Sequence, residues 1–345
     1  MSRTLRSIAV AALGVAALAA CQTLPSANSG GPDPTTVSIM VGGLDKVIYL
    51  PAELTDRLGY FTEQGLTVDL QSQPSGANAE TALVAGQVDA VVGFYDHTID
   101  LQTKGKCITS VVQFADVPGE VEMVAAGKAS SIRSPADFKG KKMGVTSPGS
   151  STDFLTQYLA TKAGLTSADY TTVKAQAGQT FIAAIDNGGI DAGMTTDPTA
   201  AKLVSTGKAK VLLDMRTEAG AKQALGGLYP ASSLYMDCGW VQSHPEQVQK
   251  LANAFVKTLR WIKGHSADEI AAKMPAEYAA GDPQLYAKAV HDSIGMFNGD
   301  GLMKADGAKN VLEVLSQFSP NVKGKKDQVD LSKTYTTQFT AKVAG

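Results

Sequence analysis

The stretches "ALVAGQVDA" (residues 82–90) and "AIDNGGIDA" (residues 184–192) carry Ala, Gly, Asp and Ala at identical spacing. In each, an apolar helical run meets a glycine, which enters the left-handed region at little steric cost and so ends a helix. The aspartate then opens the turn into the next strand. Working outward, "GLT" also recurs, at residues 65–67 and 164–166, each time between the first helix and the second strand of its block. Two matching elements in the same order predict one βαβ unit used twice, hence two similar lobes.

The first block predicts strands at "TVSIMV" (36–41), "LTVDLQ" (66–71) and "AVVGF" (90–94), with helices over 51–62 and 77–85. The second predicts strands at "KKMGV" (141–145), "YTTVKA" (170–175) and "DAGMTT" (191–196), with helices over 150–163 and 179–186. Short β-rich runs alternating with helical ones indicate an α/β chain with largely parallel sheets. The C-terminal third is helical. In "HPEQVQKLANAFVKTLRWIKGH" (244–265), Pro245 sits in the first turn, and Val248, Leu251, Ala252, Phe255, Leu259 and Ile262 form one apolar stripe. Further helices are expected over 282–296 and 304–318.

The 345 residues leave room for two domains with buried cores. A net charge of −2 without a long basic block argues against nucleic acid as a partner, and 6% aromatic content against a base-stacking platform. Residues 1–21 are different in kind. Arg3 and Arg6 precede an unbroken apolar run over 8–20, too short to span a bilayer permanently, so the segment reads as a signal peptide. It ends in "LAAC", which resembles the bacterial lipobox and implies lipidation at Cys21; the alternative is an ordinary secretory signal with an incidental cysteine. Residues 22–35, rich in Pro, Gly, Ser and Asn, read as a flexible tether. The expectation is an exported protein, held at a bacterial membrane surface by lipid. An oxidising compartment permits a disulfide between Cys107 and Cys238, but two separate buried thiols are the favoured reading.

Familiar catalytic signatures are missing. "TSPGSST" (146–152) lacks the lysine of a phosphate loop, no G-x-G-x-x-G follows a strand, and no G-x-S-x-G occurs. His97, His244, His265 and His291 are scattered without metal-ligand spacing, and His244 and His265 are expected at the surface. The expectation is therefore a protein that is not an enzyme and carries no metal or cofactor.

What remains is a set of polar loops at the carboxyl ends of the strands, where open α/β sheets bind ligands. They are "GGLDKVIY" (42–49), "PSGANAE" (74–80), "YDHT" (95–98), "TSPGSST" and "TTDPT" (195–199). The candidate ligand contacts are Asp45, Lys46, Tyr49, Ser75, Gly76, Tyr95, His97, Ser147, Gly149, Ser150, Ser151, Thr152, Thr196, Asp197 and Tyr229. Loop 146–152 offers N–H groups and hydroxyls at a helix start; capping by Ser150 or Ser151 is the plainer alternative, compatible with ligand contact. In "YDHT", Tyr95 is expected to stack on ligand and Asp96 to cap the next helix, with His97 facing the cleft or solvent. Asp45 and Lys46 read either as ligand contacts or as a solvated pair. Lys46 is the only fixed cation in these loops.

"PAELTDRLGYFTEQGLTVDL…ALVAGQVDAVVGF", together with the segment from Asp137 to Ser150, resembles the solute-binding proteins of ABC importers for nitrate, sulfonates and taurine, which also include thiamine-precursor binders. The resemblance runs from Val37 to Phe339. It implies a two-lobed type II periplasmic-binding fold, with lobe 1 from 36–120 and 232–345 and lobe 2 from 121–231. Antiparallel strands are expected at "VEMVAA" and "SSLYMD". It further implies a monomer that closes on a small organic anion or heteroaromatic compound and hands it to a permease and its ATPase. A receptor for a sensor kinase and an enzyme of the same fold are the alternatives; the cysteine-rich iron-binding signature of the related yeast pyrimidine synthases is absent.

Overall fold

The repeat read from the sequence appears as two five-stranded sheets with one plan. The computed structural model describes residues 35–343, so the signal segment, Cys21 and nearly all of the tether lie outside the described residues. In the first sheet, β1 (Thr36–Val41), β2 (Thr67–Ser72) and β3 (Ala90–Phe94) run parallel. β10 (Ser232–Asp237) returns antiparallel beside β3, and β4 (Ile108–Gln113) closes the order β2-β1-β3-β10-β4. The second sheet repeats this with β6 (Lys142–Val145), β7 (Thr171–Lys174) and β8 (Ala192–Thr196) parallel. β5 (Glu120–Ala125) is antiparallel to both β8 and β9 (Ala209–Asp214), giving the order β7-β6-β8-β5-β9. The antiparallel strands expected at "VEMVAA" and "SSLYMD" are β5 and β10.

Around the first sheet lie α1 (Leu50–Arg57), α2 (Tyr60–Glu63), α3 (Gly76–Val84) and α4 (Asp96–Gln102). Around the second lie α5 (Ser151–Lys162), α6 (Gln179–Asp186), α7 (Thr199–Ser205) and α8 (Glu218–Leu225). The chain then returns to the first lobe through α9 (Cys238–Ser243), α10 (Pro245–Gly264), α11 (Ala267–Ala271), α12 (Pro283–Ser293) and α13 (Ala305–Phe318). Among the described residues, no helix is long and apolar enough to cross a membrane.

The paired turns have a specific chemistry. Gly86 and Gly188 sit at φ 69° and 66°, where a side chain is strained, and end α3 and α6 in matching fashion. The aspartates do more than open a turn. Asp89 accepts from Ser38 N–H and Ser38 Oγ (2.8 and 2.7 Å), and Asp191 accepts from Lys142 N–H (2.9 Å). Each carboxylate thus ties the third strand of its unit back to the first. The apolar stripe of α10 is buried, with Phe255 edge-on to Phe61 at 5.3 Å.

Two chain crossings join the lobes side by side, linked by Tyr229 N–H to Asp116 O (3.1 Å) and Ala231 N–H to Ala115 O (3.0 Å). Cys107 and Cys238 are disulfide-bonded with Cα atoms 5.4 Å apart, which corrects the expectation of two separate thiols. The residues adjoin paired strands: Cys107 precedes β4 and Cys238 follows β10, so the register brings them together. His244 and His265 are half-buried, each stacked on the tryptophan four residues earlier (centroids 4.3 and 3.8 Å).

Candidate functional site

The carboxyl ends of both sets of parallel strands meet in a closed cleft. From the first lobe, the turn after β1 delivers Lys46 and Tyr49, the start of α3 delivers Ser75 and Gly76, and the start of α4 delivers Asp96 and His97; all are buried. Glu120 stands at the first residue of β5, on the boundary between the lobes, and the second lobe adds Ser151 on α5 with Thr195 and Thr196 at the end of β8, all buried. Tyr229, on the returning crossing, donates its hydroxyl to Asp96 Oδ2 at 2.8 Å. Ser151 Oγ donates to Glu120 Oε1 at 3.1 Å.

The remaining atoms of this cluster have no protein partner: Asp96 Oδ1, His97 Nε2, Glu120 Oε2, and the hydroxyls of Thr195 and Thr196. A buried polar group without a partner costs roughly 1–3 kcal/mol, so such a concentration marks surface shaped to meet something else. Gly76 belongs to this surface for a steric reason. A Cβ there would come within 3.1 Å of His97 Nε2, so glycine keeps that nitrogen uncovered.

Charge in the cleft is mixed. Burial alone lowers the His97 pKa, but the Glu80 carboxylate 2.8 Å from Nδ1, helped by Asp96 and Asp100, overrides it and lifts the imidazole to about 9. Burial raises Asp96 to about 6, against the opposing pull of His97 and the Tyr229 hydrogen bond. Burial, then the Asp96 charge, pushes Glu120 well above the carboxylate range. Lys46 is drawn down to about 8 by burial, although Asp45 and Glu120 oppose this. Its ammonium donates to the Gly42 and Pro74 carbonyls at 2.5 and 3.1 Å. The cleft therefore holds two cations beside three carboxyl groups and suits a ligand with both donors and acceptors better than a doubly charged anion.

A pH dependence follows. His97 binds its proton more tightly in the folded state, so its contribution is full below pH 6.5 and lost as pH rises through 9. Between pH 6.5 and 7.5, above the Asp96 midpoint and below that of Lys46, the protein is expected to lose about 1 kcal/mol of stability. Denaturant melts at the two pH values check this; His97→Gln should remove the difference, and a difference that persists in the variant would assign it elsewhere.

Several sequence-derived assignments change. Tyr95 turns away from the cleft: its hydroxyl lies 2.6 Å from Thr334 Oγ1 and its ring is edge-on to Tyr335, so it is no stacking platform. Asp96 makes no cap hydrogen bond; as the first residue of α4 it faces Tyr229 instead. Asp197 is consumed by its own chain, accepting from Ala201 N–H, Arg216 Nη1 and Ser293 Oγ at 3.0, 2.8 and 2.8 Å. Lys46 is not a solvated partner of Asp45, which is exposed while Lys46 is 5% exposed.

In loop 146–152, the Ser150 hydroxyl donates to Ser147 O (2.6 Å) and lies 2.8 Å from Thr152 Oγ1. Thr152 Oγ1 accepts from Thr146 N–H (3.0 Å), and Gly149 N–H donates to Asp153 Oδ2 (2.8 Å). The Ser147 hydroxyl faces Pro148 O at 3.4 Å. The loop is largely self-bonded, so Ser150 and Thr152 hold its shape and Ser151 alone reaches across to Glu120. Ser75 caps α3 by accepting from Asn78 N–H (3.3 Å).

Sequence reasoning missed Glu80, Glu120, Glu122 and Arg216. Glu122 lies two residues after Glu120 on the same strand and is likewise fully buried, with neither oxygen partnered. Arg216 ties Asp197 and Asp214 of the second lobe toward Asp292 of the first, 3.6 Å away. Among the described residues, no group of three or more His, Cys, Asp or Glu is disposed to hold a metal ion.

The family description "NMT1/THI5 like" matches residues 51–268. The chain belongs to the NMT1/THI5-like family. A solved structure from Bordetella bronchiseptica RB50 is similar over 90% of this chain and 96% of its own, with 34% identity and a TM-score of 0.86. The alkanesulfonate-binding protein of Xanthomonas axonopodis pv. citri covers 89% of this chain and 100% of its own at 17% identity and a TM-score of 0.71, a likeness of fold. Both agree with the two-lobed periplasmic-binding fold.

The NMT1/THI5-like relatives also correct an expectation. A 4-amino-5-hydroxymethyl-2-methylpyrimidine phosphate synthase of Aspergillus parasiticus is 28% identical over 233 residues, and synthases of Saccharomyces cerevisiae bear the same description. The expectation that the protein is not an enzyme is overturned by these relatives, which are named as enzymes. The matched region spans 64% of the Aspergillus relative's length and 42% of the yeast protein's.

Proposed function

We propose that this protein captures a small organic ligand between its two lobes outside the cytoplasmic membrane and delivers it to an ABC permease. The observation that carries this is the shared cleft, in which partnerless polar atoms of Asp96, His97, Glu120, Thr195 and Thr196 from both lobes converge. The mixed charge favours, within the sulfonate, nitrate, aromatic-acid and pyrimidine classes, a compound that both donates and accepts hydrogen bonds, such as a heteroaromatic ring. Lobe 1 comprises 36–120 and 232–345, lobe 2 comprises 121–231, and closure turns on the paired crossings. Cys21 carries the lipid that holds the monomer at the membrane surface.

The names of the curated relatives favour a second reading, chemistry on the ligand once it is bound. One experiment addresses both. A thermal-shift screen of the chain from Thr35 onward, across those classes, is expected to find a ligand that stabilises by about 2.7 kcal/mol at 100 times its dissociation constant. Recovery of that ligand unchanged supports capture and its conversion supports the second reading, whereas a screen without any stabilising compound would contradict both.

A further inference from the structure

A cavity of about 180 Å³ opens beside the cleft, between the lobes, and the polar cluster does not line it. Lys46 contributes to one wall, at the base of the β1 turn. The second lobe supplies Ile182 of α6 with Ala177 before it, and the C-terminal helices of the first lobe supply Tyr278, Leu285 and Tyr286. Apolar and aromatic side chains make up most of its surface, although Asp45, Lys202, Glu277 and Asp282 also line it. Ala280 lines the cavity and Gln176 immediately precedes its wall; among the described residues these are the two non-glycines at positive φ (46° and 57°). Backbone held in that region at non-glycine positions tends to collect at binding sites.

The geometry points to a second subsite that takes a single aromatic ring. Size sets the scale: an enclosed apolar cavity of about 150 Å³ holds one benzene, so this one has room for a six-membered ring. Two tyrosine rings offer edge-to-face contact, and Ile182 and Leu285 cover apolar faces. Because the walls come from both lobes, the subsite is complete only when they are closed. The inference extends the capture reading, with the polar part of the ligand in the cleft and a ring in this cavity.

The test uses a neutral probe on the chain from Thr35 onward, followed by NMR of the Ile182 and Leu285 methyl groups. Phenol is expected to shift both signals saturably. Ala177→Trp, which fills the cavity, should abolish the phenol shifts; Leu285→Trp serves if that variant does not fold. Phenol shifts that persist in both tryptophan variants, or no saturable shift at Ile182 and Leu285, would each overturn the subsite. None of these outcomes touches the cleft reading, which the Glu120 variant tests separately.

Discussion

Glu120→Met is expected to weaken ligand binding by roughly ten- to a hundredfold while raising the thermal midpoint, because a ligand group left unpaired in the closed cleft costs about 1–3 kcal/mol. Glu120 is 1% exposed, one of its oxygens meets only Ser151, and the other meets nothing. The nearby cations are already engaged, Lys46 by two carbonyls and His97 by Glu80. Without ligand, the carboxyl group is therefore a liability, and an apolar side chain of similar volume is expected to relieve a penalty of about 1–3 kcal/mol. A group kept for binding shows opposite signs in the two measurements. Calorimetric titration of the screened ligand together with thermal melts checks this; a lower midpoint with unchanged affinity would make Glu120 a structural residue.

Reducing the Cys107–Cys238 disulfide, or replacing both cysteines by serine, is expected to cost stability on a comparable scale. The bond closes a loop with a sequence separation of 131 residues. Chain entropy then assigns it about 5 kcal/mol, and removal of native disulfides typically costs about 2–5 kcal/mol. It also clamps the antiparallel pair β4–β10, where Cys238 N–H donates to Cys107 O at 3.0 Å. For a chain of this size the midpoint should fall by roughly 5–10 °C. Thermal melts with and without dithiothreitol decide it; identical midpoints would show that the strand pair holds without the bond.

How much of this was legible in the sequence depended on range. Strands β1 and β3 and helix α6 were read to the residue, because local periodicity and a glycine stop define them. Strands β4 and β9 were not read: each pairs only with the antiparallel strand of its sheet, β10 or β5, a partner that no local pattern announces. Within the candidate site, Lys46, His97 and Ser151 are singled out in the sequence as polar residues of strand-end loops, and Tyr229 is named beside them.

Glu120 and Glu122 were missed for a physical reason. In "EVEMVA" the alternation reads as one wet face and one dry face, and only a sheet covered on both sides buries the acidic face. Tyr95 and Asp96 were exchanged in role because the phase of α4 sends neighbouring side chains to opposite sides. One reaches Thr334 and the other Tyr229.

The central claim is that both lobes close on one ligand. Hydrogen exchange of the protein with and without the screened ligand tests it most directly, read at segments 95–98, 147–152 and 195–197. Slowed exchange in all three segments, hence in both lobes at once, is the predicted result. Protection confined to one lobe, or lying wholly outside these segments, would contradict capture in the cleft.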